Sequence, residues 1–284
     1  LEKEQKELKA KKIEVLGVRD INRQYEILSH LRALLQERMD RGDASQLPVN
    51  VGPSIVEVIR QNSKKEQLME ECTCILYFLS IFDPKFKKGV ARLFKSLQDH
   101  PANESIQKAS LAAIRNIVGA NRDSLPRIAP SMPVILDSMD RYPENIDILS
   151  SGSEILENLA SHWPTKTFFI ECGGLEQLKT TMKNQLNNAS LQGTILRALS
   201  HLSFEASVDA RSDMLPIISV VMASMRQNHR DTRVQMYGLS TLQNISSVAA
   251  SVSPLQQDPV ALRVGSFHTI LSIMKVHVED ASIQ

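Results

Sequence analysis

Few side chains in this sequence are arranged for covalent or metal chemistry. The seven histidines, at positions 30, 100, 162, 201, 229, 268 and 277, are scattered without a metal-like cluster. No G-x-x-x-x-G-K-[ST] phosphate loop, H-E-x-x-H pair, G-x-S-x-G elbow or glycine-rich dinucleotide turn occurs. Cys72 and Cys74 are two residues apart, so on a helix they point about 200° from one another and cannot share a metal without further ligands. They read as small buried residues, as does Cys172. The pair His162 and Trp163 reads as packing at a helix end. Asn103, Asn188 and Asn244 stand in N-x-S sequons that would carry no sugar in a reducing compartment. The expectation is a protein with no enzymatic centre, cofactor or metal.

What does recur is a column of polar side chains. Asn116, Asn158, His201 and Asn244 follow Phe78 at intervals of 38, 42, 43 and 43 residues. Ten residues before each stands Leu68, Ile106, Ile148, Leu191 or Val234. Two before stands Leu76, Ile114, Leu156, Leu199 or Leu242, and one after stands Leu79, Ile117, Leu159, Leu202 or Ile245. All fifteen are apolar, where a 42% apolar composition predicts about six. Offsets of 8 and 11 residues fall within about 80° on an α-helix, so these positions predict one buried face on each of five long helices.

Proline and glycine mark the intervals. None of the twelve prolines enters the five long windows, whereas Pro53, Pro133 and Pro216 stand near the start of the next apolar segment, where a fixed φ is tolerated. Each unit therefore reads as a short helix, a turn, a medium helix, a loop and a long helix. In PTKTFFIEC (164–172), LEQLKTTMKN (175–184) and SLQGTILRALSHLS (190–203) all three are visible. Gly173 and Gly174 reverse the chain between the first two, and Gly52, Gly89 and Gly265 are expected at comparable places. Small residues six or seven before the column (Ala109/Ser110, Ser151/Gly152, Thr194, Gly238) predict close helix crossings.

Bulk properties bound the function. At 284 residues the chain can bury a large core. Lys and Arg total 33 against 32 Asp and Glu, so no overall field favours nucleic acid or an anionic membrane. The longest apolar stretch, MLPIISVVMASM (214–225), is shorter than the ~20 residues a membrane span needs. Three cysteines build no disulfide framework, which points to a reducing, cytoplasmic setting.

A ~42-residue unit of three helices, with the corner Glu171-Cys172-Gly173-Gly174 and an L-x-N-L ending, resembles the armadillo repeat. The resemblance implies an all-α, right-handed α-solenoid of armadillo/HEAT-like repeats over residues 43–284. The corner glycine is replaced by Ser131 and Asp213, and the loop 251–265 is long. Residues 1–42 read as a charged helical segment. In it, 1–16 form a solvated helix or coiled-coil tail, and 20–41 a degenerate or capping repeat centred on His30, with Asp20 in an apolar place. DASIQ (280–284) matches NESIQ (103–107) and NASLQ (188–192), so a further repeat is expected to begin there.

The resemblance also implies the site. Long third helices of armadillo proteins line a concave groove in which asparagine amides hold an extended peptide. By position this implies Asn116, Asn158, His201 and Asn244, flanked by Glu154, Arg197 and His162. The alternative is that each asparagine bonds a neighbouring helix and binds nothing. Nuclear-import adaptors of the family carry tryptophan four residues before the asparagine. Here Ala112, Glu154, Arg197 and Ser240 stand there, which argues against that ligand and favours a mixed or apolar partner. The expected function is a non-enzymatic scaffold for a protein segment. The alternatives are a regulatory or targeting domain of a larger cytoskeletal or ciliary protein, and a nucleic-acid-binding helical repeat, which the charge balance disfavours.

Overall fold

The computed structural model describes residues 20–42, 51–82, 89–204 and 213–249. The expectations for residues 1–16, Gly265, the loop 251–265 and DASIQ (280–284) lie outside the described residues. Every regular element among those described is helical, so the fold is all-α. The chain divides into two compact units, residues 1–155 and 156–284.

In the first unit, helices α1 (Ile21–Asp40), α2 (Val51–Asn62), α3 (Glu66–Phe82), α4 (Val90–Asp99) and α5 (Glu104–Ala120) follow in order. After these come α6 (Leu125–Ile128), α7 (Met132–Arg141) and the first part of α8 (Ile146–Ala160). The long helices pack in sequence: α1 lies on α3, and α3 on α5, while α2 covers α3 and α4 covers α5. The second unit takes the end of α8, then α9 (Lys166–Glu171), α10 (Gly174–Asn184), α11 (Ala189–Ser203), α12 (Ile218–Gln227) and α13 (Thr232–Ala249). Here α11 packs on α13, with α12 against α13.

The core is the one the apolar columns predict. All fifteen column residues are buried, none more than 8% exposed. Each contributes roughly 1.5–3 kcal/mol of hydrophobic stabilisation.

The long helices also start alike. Asn103, Asn145, Asn188 and Asp231 each accept a hydrogen bond from the backbone N–H three residues on, at 3.0–3.1 Å. Asn103 and Asn188, met in the sequence as sequons and as the first residues of NESIQ and NASLQ, are therefore helix caps. Asp20 does the same for α1, accepting from the Asn22 N–H at 3.0 Å. Asp20 is thus no failed apolar position. Counting from the caps, Ala33 rather than His30 falls in the polar column, and the exposed His30 stands three residues early.

The glycine corner holds with a division of labour. Gly173 takes φ +85°, which suits a residue without Cβ. Gly174 has ordinary helical backbone, but a Cβ there would come 2.5 Å from Phe169 Cε1 and 2.9 Å from the Phe169 carbonyl oxygen. Gly89 stands directly before α4 as Gly173 stands before α10, but with φ −82°, whereas Gly52 lies inside α2. Gly42, overlooked in the sequence, turns the chain after α1 with φ +68°. Close crossings occur where Gly152 meets Met139 and Gly238 meets Met225, an added Cβ lying 2.5 Å from either sulfur. Thr194 makes no such crossing. It is half-buried, and its hydroxyl bonds the Ser190 carbonyl.

Candidate functional site

Stacking α1, α3, α5 and the start of α8 leaves a trough of about 800 Å³ in the first unit. Its floor is small: Ala33 from α1, Cys74 from α3, Ala109 and Ala112 from α5, Ser150 and Ser151 from α8. Tyr77 and Phe78 add the only aromatic surface of its lining. The small size of these side chains leaves the space open.

Charged side chains line it too. Arg32 Nε lies 2.9 Å from Glu71 Oε2, Lys108 Nζ 2.5 Å from Asp147 Oδ2, and Arg115 Nε 3.7 Å from Glu154 Oε2. Of these, Arg32, Lys108, Arg115 and Asp147 line the trough, whereas Glu71 and Glu154 do not. The Glu71 side chain is only 5% exposed. Its burial raises the carboxyl pKa above the ordinary 4.5, an effect that Arg32 opposes and Glu70 reinforces.

Asn116 is half-buried beside this trough but does not line it. Its amide nitrogen donates to Ser80 Oγ at 3.0 Å on the preceding long helix, and its oxygen accepts from Arg115 Nε and an Arg115 terminal nitrogen at 3.2 Å. Asn244 repeats the arrangement in the second unit, donating to Ser203 Oγ at 3.1 Å and to the Ser200 carbonyl at 3.3 Å. Ser80 and Ser203 both stand two residues after the column of their own helix. These two asparagines therefore lace neighbouring helices together.

The second unit brings Arg197, His201 and Glu157 into one cluster. Arg197 donates to Glu157 Oε2 at 2.7 Å, and His201 Nε2 lies 3.5 Å from Glu157 Oε1. Glu157 is nearly covered at 8% side-chain exposure, and both partners remain substantially open. Asn158, next to it, is half-buried, and its carbonyl accepts from the Ser161 hydroxyl at 2.7 Å. Glu154 belongs to the first unit, with Arg115. His162 precedes a short helix, its Nδ1 buried with no hydrogen-bond partner among the described residues. Trp163 departs from the packing expected of it. It is 61% exposed, with Lys166 Nζ 5.3 Å from the ring centre.

A rule unread in the sequence connects these contacts. On three long helices the residue one before the column meets the residue four before it on the next. The pairs are Arg115 with Glu154, Glu157 with Arg197, and Ser200 with Ser240, whose hydroxyls lie 2.7 Å apart. The residue types match across each step.

Among the described residues, no three His, Cys, Asp or Glu side chains are placed to hold a metal ion. The cysteines there are free thiols. Cys72 is fully buried, which drives its thiol pKa far up, so it is a poor nucleophile. No helix of the described residues is long and apolar enough to cross a membrane.

No family model and no curated protein matches the sequence. Among solved structures, the chain is similar to the crystal structure of an engineered protein from the Northeast Structural Genomics Consortium. The TM-score is 0.63 at 18% identity, over 87% of this chain and 97% of that one. At that identity the likeness speaks for the helical fold alone.

Proposed function

We propose that this chain is a non-enzymatic protein-interaction domain of the armadillo type, a right-handed α-solenoid whose long third helices hold a protein segment. The observation that carries this reading is the trough of the first unit, about 800 Å³, shared by four long helices and floored by small side chains. Repeats of this kind bury their apolar faces against one another and leave one face of the stack exposed. That exposed face is lined by alternating apolar and charged groups, which suits a chain segment with main-chain amides and varied side chains. In the second unit Arg197, His201 and Ser240 hold the corresponding positions on α11 and α13. A reducing, cytoplasmic location fits the free cysteines, and the alternative reading is a regulatory or targeting domain of a larger cytoskeletal or ciliary protein.

Panning a random peptide library against the whole chain tests the reading. Enriched peptides should bind the native protein and lose at least tenfold in affinity against Ala112→Trp, which fills the trough from a half-buried position outside the core. The melting temperature of the variant should be unchanged within a few degrees. Peptides that bind the variant and the native protein alike would place the binding face elsewhere.

A further inference from the structure

The trough presents more positive than negative charge to whatever enters it. Three cations line it, Arg32, Lys108 and Arg115, against one carboxylate, Asp147. The side chains of Arg32 and Lys108 are about half exposed, and that of Arg115 is 28% exposed. Glu71 and Glu154, which pair with the two arginines, stand outside the lining, and Glu71 is nearly covered. An incoming chain therefore meets Arg32 before its covered partner, and meets Arg115 together with Glu154, whose side chain is 40% exposed. Arg115 is the less committed of the two. Its carboxylate contact is long at 3.7 Å, and its fork is spent on a neutral acceptor, the Asn116 carbonyl oxygen, at 3.2 Å. A carboxylate is the stronger acceptor for that fork, through two parallel charge-assisted bonds. Around these cations the floor is alanine, serine and cysteine, which admits a backbone closely and offers no pocket for a large side chain.

The chain's overall charge balance hides this local excess. Counting only the positions four before the polar column gives a mixed row. The excess comes instead from positions one and eight before it, which face inward because consecutive helices are offset by three residues.

We infer that the trough of the first unit takes an acidic protein segment, with small side chains against its floor and carboxylates on Arg32 and Arg115. This rests on the proposed reading of the trough as a protein-binding face. The two arginines stand at the same position on helices two apart in the stack. With interaxial spacings of about 9 Å they are roughly 18 Å apart, or about five to six residues of extended chain. Acidic residues at that separation are the recognition pattern the geometry calls for.

The test uses fluorescence anisotropy with the whole chain and three labelled twelve-residue peptides of Ala and Ser. One carries two Glu–Glu pairs six residues apart, one has Gln in those places, and one has Lys. The acidic peptide is expected to bind at least tenfold more tightly than the Gln peptide, with no measurable binding of the Lys peptide. Its affinity should fall with rising salt, as for a few partly exposed ion pairs. The variant Arg32→Gln/Arg115→Gln should lose at least tenfold toward the acidic peptide, whereas Arg127→Gln/Arg141→Gln, exposed and outside the trough, should lose less than twofold. Circular dichroism melts establish that both variants are folded. If Arg115→Gln alone proves unstable, Lys108→Gln, an exposed change, must still weaken the acidic peptide. Equal binding of the acidic and Gln peptides, both abolished by Ala112→Trp, would overturn the charge preference and leave the trough a protein-binding face. Failure of all three peptides to bind would overturn the charge preference, and if library peptides also ignore Ala112→Trp the functional reading falls with it. Tighter binding of a single-stranded RNA twelve-mer that also depends on Arg32 and Arg115 would reassign the site to nucleic acid and overturn the inference.

Discussion

Gln107, Gln192 and Gln235 each reach back with one amide nitrogen to two carbonyls at the end of the preceding helix. Gln107 donates to Leu97 and His100, Gln192 to Met182 and Gln185, and Gln235 to Met225 and Asn228, all at 2.9–3.0 Å. The last carbonyls of a helix have no partner within it, and leaving them buried and unmet is costly. These glutamines are therefore the screws that fix each medium helix to its long one. Gln192→Met, which keeps the bulk but removes the donor, should cost about 1–3 kcal/mol in chemical denaturation. The motif was visible in the sequence as NESIQ and NASLQ, a cap and a clamp four residues apart. Its meaning was not, because the acceptors lie on another helix.

Also at the residue scale, the two corner glycines should respond differently to alanine. Gly173→Ala places a Cβ at positive φ with open space around it, a strain of about 1 kcal/mol. Gly174→Ala drives a Cβ into Phe169, including its backbone oxygen, and should cost about 2–3 kcal/mol. Thermal unfolding of the pair separates left-handed strain from steric contact. Glu71 supplies a pH test. Its folded pKa is raised by burial, so the protein takes up a proton on folding in the window between 4.5 and the raised value. Stability falls as pH rises through that window. Glu71→Gln should therefore melt higher than the native protein at pH 7, and the difference should vanish below about pH 4.5.

At the scale of the element, the pairing of each long helix with the next sets their register. Arg197→Glu would put two carboxylates face to face beside the nearly covered Glu157, and should cost about 2–3 kcal/mol. The swap Glu157→Arg/Arg197→Glu should recover part of this, and a double-mutant cycle on melting free energies should return a coupling above about 1 kcal/mol. A coupling near zero would mean the matched residue types are incidental to register. The helices themselves were legible because burial repeats with the helical period, and a 42–43-residue repeat multiplies that signal. The offset of three residues between neighbours was not, since nothing within one helix records it. For the same reason Glu154 read as a lone groove residue, and its partner Arg115 was not singled out. The polar column of α1 was centred on His30 rather than Ala33 because a polar residue at an apolar position looked like decay of the repeat, when Asp20 was capping the helix.

At the scale of the molecule, each of the two units is built from long helices with shorter ones packed against them, and the open space of the first lies where small residues meet. Composition revealed the core but concealed the site. A chain with 33 basic and 32 acidic residues has no net field, yet its trough gathers three cations against one lining carboxylate. The polar column was the natural candidate for recognition because it repeats. Asn116 and Asn244 bond Ser80 and Ser203, hydroxyls whose importance depends on which face the next helix presents. Most of the first unit's trough lining stands before the column on its long helix.

Hydrogen–deuterium exchange of the whole chain, with and without a saturating library-selected peptide, bears most directly on the claim that the stacked long helices form a protein-binding face. The account predicts added protection in α3 and in α5 around Ala109, Ala112 and Arg115, lost in Ala112→Trp, with α4 and α7 unchanged. Protection confined to α4 and α7, or an identical pattern in Ala112→Trp, would contradict it.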